Sequence, residues 1–209
     1  MKQKVVKGLL WKLLENGGAQ GVQFVIAIIL ARLLTPAQYG VVGIITIFIT
    51  IANVVVQSGF STALVQKQKA DKVDFSSVCY FDLFVALVMY GILYAAAPVI
   101  ASFYGIAELE AIVRVLSIVL FPGAVISVQT AYVSRNLEFK GLFLSTLAAS
   151  AASGVISIWM AANGFGVWAM VGQQVSYYFV LMIALFFEVS WKPGLLFVFD
   201  RIKEMFSFG

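Results

Sequence analysis

Histidine is absent from the 209 residues, and there is a single cysteine, Cys79. The first absence removes the commonest general base and the commonest transition-metal ligand. The second excludes an intramolecular disulfide, so the thiols carry no information about redox compartment. Charge is also scarce, with Asp, Glu, Lys and Arg making up 11% of the chain, against about a quarter in a soluble domain. With 62% hydrophobic residues and a mean hydropathy of +0.98, this balance excludes a water-soluble globule. The net charge of +4 could suggest a nucleic-acid partner, but in so apolar a chain basic residues orient membrane spans, and no nucleic acid is expected.

What the chain has in place of charge is long apolar runs. About 20 helical residues cross the hydrocarbon of a bilayer. By that measure six spans are predicted: Leu10–Leu34, Gly40–Val65, Ser76–Phe103, Ala111–Ser134, Leu142–Ala162 and Val167–Phe187. The predicted fold class is all-α, a polytopic membrane protein. The basic N-terminus leads into a full-length span, so no cleavable signal peptide is expected. Beyond the sixth span, Leu196, Phe199, Ile202, Met205 and Phe206 fall on one helical stripe, with Asp200, Arg201, Lys203 and Glu204 off it. Residues 191–209 are therefore predicted to form an amphipathic interfacial segment.

The basic residues sort by connection. Lys2, Lys4, Lys7 and Lys12 precede or open the first span, and Lys67, Lys69 and Lys72 follow the second. Arg135 and Lys140 follow the fourth, and Lys192, Arg201 and Lys203 follow the sixth, leaving only Arg32 and Arg114 for the other side. The positive-inside rule then places both termini in the cytoplasm. All connections are short, so the chain is expected to act within the bilayer and not as an enzyme. A membrane acyl- or glycosyltransferase would need clustered acid–base groups near one face, and none is evident.

Between Arg32 and the second span, Thr35-Pro36-Ala37-Gln38 fits a capping box with proline at the first helical position. It is predicted to close one helix and start the next in a tight hairpin. Polar residues inside spans mark pathways more often than chance. Asn16, Gln20 and Gln23 share one face of the first span, with Glu15 beside them. That face either lines a hydrated cavity or bonds neighbouring helices. Asp82 lies within the third span, where it is a coupling site, snorkels to the interface, or pairs with a nearby base. Glu15 is the second ion-coupling candidate, although it lies close enough to the cytoplasmic end to be solvated there.

Arg32 and Arg114 either reach the headgroups or bind an anion. A salt bridge to Glu108 or Glu110 competes at Arg114, so Arg32 is the stronger anion candidate. Tyr132, Tyr177, Tyr178, Trp159, Trp168 and Trp191 fit interfacial belts. The small residues of Ser145–Ser157 fit close helix packing. Asn163–Gly166 reads as a turn. No metal site and no cofactor is expected.

Taken together, ILARLLTPAQYGVVGI (29–44), QSGFSTALVQ (57–66), SSVCYFDLF (76–84), APVIASFYG (97–105), SRNLEFK (134–140), GFGVWAMVGQ (164–173) and SWKPGLLF (190–197) carry a resemblance. The chain resembles the N-terminal half of the polysaccharide exporters, the Wzx-type lipid-linked oligosaccharide flippases of the multidrug/oligosaccharidyl-lipid/polysaccharide superfamily. Asp82 stands where the resemblance leads one to expect asparagine. The resemblance implies a two-lobe exporter fold, with residues 1–190 as one six-helix lobe and 191–209 leading to a second, absent lobe. It implies export of an undecaprenyl-pyrophosphate-linked oligosaccharide across the bacterial inner membrane by alternating access. Membrane lipids, the lipid-linked glycan and a second six-helix lobe are the implied partners. Within that picture Arg32, Asn16, Gln20 and Gln23 are the expected substrate contacts. A multidrug exporter of the same superfamily and a non-transporting lobe that joins a membrane complex are the alternatives.

Overall fold

The computed structural model describes the backbone of residues 2–57, 60–67, 70–194, 197–198 and 201–202, and the side chains there except for 2–9, 13, 15 and 16. The described residues contain helices and connections only. They run α1 (Lys2–Leu33), α2 (Pro36–Val56), α3 (Phe60–Gln66), α4 (Lys72–Tyr104), α5 (Glu108–Leu116), a 3-10 turn (Ser117–Val119), α6 (Leu120–Asn136), α7 (Phe139–Ala162) and α8 (Val167–Glu188). With α5, the 3-10 turn and α6 counted as one span, six stretches are long and apolar enough to cross a membrane. The protein is a multi-pass membrane protein. Successive spans alternate in direction, so the turns near Thr35, Gly105 and Asn163 share one end of the bundle. The connections near Asp71 and Leu137, and the tail, share the other.

The capping box forms as the sequence predicts. Thr35 donates its amide to Gln38 Oε1 at 2.8 Å, the Gln38 amide donates to Thr35 Oγ1 at 3.4 Å, and Pro36 opens α2. Two orphan donors are satisfied within two residues of the end of α1. Thr35→Ala is expected to cost about 1 kcal/mol, visible as a lowered thermal midpoint in detergent micelles.

Several expected boundaries move. The second span was expected to run unbroken through Val65, but α2 ends at Val56 and a separate α3 follows. The intervening sequence is Gln57-Ser58-Gly59, and glycine and serine are poor helix formers. Arg135 then donates from Nη1 to the Leu64 carbonyl at 3.0 Å and to the Lys67 carbonyl, satisfying the free end of α3. The third span starts at Lys72 and not at Ser76, because Asp71 and Asp74 form a second capping box. The fourth begins early, at Glu108, and tightens to a 3-10 turn just before Pro122. Proline lacks the donor for the fourth carbonyl back and crowds it. The tail also differs: among its described residues, 191–194 and 197–198 lie outside helix, and Arg201 and Ile202 are helical. Of the expected apolar stripe, Ile202 is buried; Leu196, Phe199, Met205 and Phe206 lie outside the described residues.

The tail docks against the start of α4. The Gly194 and Val198 amides donate to Ser76 Oγ at 3.0 Å and Ser77 Oγ at 3.1 Å. Trp191, expected in an interfacial belt, is 1% exposed and packs on Phe75 with ring centroids 5.9 Å apart. The returning chain carries it into the core, which composition could not foretell. Asp74, wholly buried, gathers the clasp by accepting from Lys67 at 3.1 Å and facing Arg201 at 3.5 Å.

At the opposite end the two hairpins meet. Gly166 has φ +56°, which favours glycine, and a Cβ there would lie 2.7 Å from Gln38 Nε2 and push that amide aside. From that closed end α1 and α2 diverge. Tyr39 still reaches the Ala27 carbonyl at 3.2 Å, but further along α1 lies on α7, whereas α2 lies on α4, α6 and α8.

Candidate functional site

Beyond the end of α2, a cavity of about 580 Å³ opens between α3, α6 and α8. Its polar lining is made of Gln57, Ser61, Thr62, Ser127, Thr130 and Ser134, with Tyr177 and Tyr178 on the α8 side. Ser61 and Ser127 hydrogen-bond to each other across α3 and α6. Ser127, Thr130 and Ser134 recur at i, i+3 and i+7, which places three hydroxyls on one face of α6. Tyr177 and Tyr178 meet edge to face at 5.8 Å. Gly123 forms part of the wall, and a Cβ there would stand 3.0 Å from Asn53 Oδ1.

Among the described residues no charged side chain lines this cleft. Hydroxyls and amides each donate and accept, and tyrosine adds an apolar face with a polar tip. Such a surface suits a neutral polyhydroxylated group.

Of the residues expected to contact substrate, Arg32, Gln20 and Gln23 do not line this cleft. Gln20 is exposed, while Gln23 accepts from Gln173 Nε2 at 3.0 Å, which ties α1 to α8. Arg32 is exposed near the far end of α1, beside an open groove of about 430 Å³ that it shares with Ile28, Ile29 and Leu33. At 1.5 Å per residue, Arg32 lies about 18 Å along the helix from Gln20. The side chains of Glu15 and Asn16 lie outside the described residues. Asp82 is wholly buried, and neither carboxylate oxygen has a hydrogen-bond partner. Arg114 takes the rim role, pairing with Glu110 at 2.8 Å and lying 4.4 Å from the Tyr94 ring centroid.

Sequence reasoning missed Ser61, Thr62, Ser127, Thr130 and Ser134. Single hydroxyls in apolar helices look like packing residues, and only the break after α2 brings the two sets together. The three-hydroxyl spacing on α6 was the available signal.

Residues 29–209 match the family described as polysaccharide biosynthesis protein. The chain is 26% identical over 207 residues to the succinoglycan biosynthesis transport protein ExoT of Rhizobium meliloti, covering 98% of this chain and 42% of that one. It is 27% identical over 214 residues to the teichuronic acid biosynthesis protein TuaB of Bacillus subtilis, covering 99% and 43%. An uncharacterized membrane protein in the cps region of Klebsiella pneumoniae is 22% identical over 139 residues, covering 66% and 29%. The chain thus spans less than half the length of these relatives. No solved structure matches it. A membrane-spanning helical bundle and a match over most of its residues lead to one conclusion: the chain belongs to the polysaccharide biosynthesis protein family.

Proposed function

We propose that this chain is one lobe of an exporter that carries a lipid-linked glycan across the bacterial inner membrane by alternating access. The observation that carries the reading is the uncharged cleft of hydroxyls and amides set among membrane-spanning helices. Sugar hydroxyls exchange hydrogen bonds with Gln57, Ser127 and Thr130, and the tyrosines offer aromatic faces to the ring. Arg32 meets the anionic phosphate end of the substrate through its guanidinium fork, and Gln20, Gln23 and Asn16 form a polar seam along α1. A second six-helix lobe faces this one, and rocking of the two exposes the cleft to either side in turn. Both termini lie in the cytoplasm, supported by Lys67, Lys72, Arg135, Lys140, Lys192 and Arg201 at the Asp71 end. The relatives named for succinoglycan transport and teichuronic acid biosynthesis support a polysaccharide cargo.

The test is surface polysaccharide display in cells that depend on the protein. Gln57→Leu and Ser127→Ala each remove a neutral hydrogen bond of about 1 kcal/mol. Each is expected to lower display about fivefold at unchanged protein level, and Arg32→Glu to lower it further. Undiminished display in both cleft variants would overturn the assignment of the cleft.

A further inference from the structure

Asp82 sits on the face of α4 that packs into the bundle, 0% exposed, with neither oxygen reaching a donor. A buried carboxylate stays ionised only beside a cation or several donors, and among the described residues the elements packed on α4 supply none at its level. The residues of α2, α3 and the 3-10 turn include no Lys, Arg, Asp or Glu. Arg114 of α5 is held by Glu110 at the opposite end, and Arg135 of α6 is engaged with the carbonyls of α3. Tyr39 of α2 bonds the Ala27 carbonyl, and Tyr132 of α6 bonds Ser190. Lys67 and Arg201 gather on Asp74, two turns before Asp82. The titratable neighbour on α4 itself is Cys79, a buried thiol one turn earlier.

Across the seam lies a second unsatisfied group. Helices α4 and α6 run antiparallel, and two ring contacts fix their register: Phe75 with Tyr132 at 5.4 Å, and Tyr90 with Phe121 at 5.5 Å. The same register sets Asp82 against the turn Val125–Gln129. Gln129 is also 0% exposed, and neither its Oε1 nor its Nε2 has a partner. A carboxylic acid and a carboxamide are complementary, the acid O–H donating to Oε1 and Nε2–H donating to the acid carbonyl. An ionised carboxylate loses the first of these bonds and leaves a bare charge in the seam.

We propose that Asp82 and Gln129 form a proton-binding site on the α4–α6 seam. One proton adds to the carboxylate, no other bond changes, and the loaded pair is neutral and mutually satisfied. Unloading leaves a charge that the apolar seam holds only by parting to admit water, so occupancy biases how tightly α4 and α6 pack. The inference does not depend on a glycan cargo.

The test uses the purified full-length protein in detergent micelles at neutral pH. The infrared carbonyl stretch of a protonated carboxylic acid is expected in the wild type, lost in Asp82→Asn, and shifted in Gln129→Leu. Asp82→Asn keeps the neutral amide pair and is expected to fold with an unchanged thermal midpoint. The absence of a band that depends on Asp82 would overturn the proposal. So would a band unmoved in Gln129→Leu, or a sodium-specific stabilisation that Asp82→Asn abolishes, which would mark a metal-cation site.

Discussion

Asp74→Ala is expected to lower stability by about 3–5 kcal/mol, the range for removing one partner from a buried ion pair. Asp74 is wholly buried and has three duties. Its Oδ2 accepts the Asp71 amide at 3.0 Å, its Oδ1 accepts Lys67 at 3.1 Å, and Arg201 approaches Oδ1 at 3.5 Å. Alanine takes away the Asp74 half of the α4 capping box, the carboxylate of Lys67 and one anchor of the tail together. Thermal unfolding should fall by roughly 10 °C for a chain of this size, and trypsin should cut sooner at Arg201. Asp71→Asn is the control. Asp71 is half exposed, so its ion pair with Arg201 is worth at most about 1 kcal/mol. Its carboxyl is held below the usual range, first by the Asp74 amide, with Arg201 adding to the effect. Its contribution is therefore complete above about pH 4 and fades only as pH falls through the lower folded value. An Asp74→Ala protein as stable as the Asp71→Asn control would refute the central role of Asp74.

Gly154→Leu is expected to lift α1 off α7. A bare Cβ at this position would already stand 2.8 Å from Cγ1 of the buried Ile26 and closer still to its Cδ1. Within a bilayer, helices associate by close packing of small residues, without a hydrophobic drive between them. Overpacking costs about 1–3 kcal/mol, set against the other holds on α1: the bond between Gln23 and Gln173, the Tyr39 bond to the Ala27 carbonyl and the Trp11–Phe143 ring contact. Cysteines in place of Gln23 and Gln173, with Cys79 replaced by serine, should be joined readily in the parent by a short bifunctional thiol reagent that spans the length of the two lost side chains. In Gly154→Leu the yield should drop about tenfold, since 1.4 kcal/mol is a factor of ten. Gly154→Ala should fall between, because the end of Ile26 can turn aside. Full cross-linking in the leucine variant would show that α1 is held by something other than this contact.

Helix number and the outer hairpin were legible because their causes are local. Hydrophobic length fixes a span, and Thr35-Pro36-Ala37-Gln38 carries its capping partners within four residues. The Asp71–Asp74 box has the same local form, with both partners within four residues just ahead of the apolar run. The cleft was not legible as a unit. Ser61 and Ser127 are 66 residues apart, and their meeting depends on a helix break and on α6 packing against α3. The docked tail was hidden for a similar reason. A periodic stripe predicts a helix on a surface, whereas here hydroxyls of α4 bind the tail amides and Trp191 finds a place in the core.

One dimension of α4 bears on the lipid around it. Its 33 residues extend about 50 Å at 1.5 Å per residue, against hydrocarbon about 30 Å thick. The 21 residues of α2 extend about 31 Å and have nothing to spare. A fatter or leaner bilayer would slide its boundary along the surplus of α4, while α2 would have to lean or drag its flanking turns inward. Sensitivity to acyl-chain length is thus concentrated at Thr35 and Gln57, the two ends of the shortest crossing.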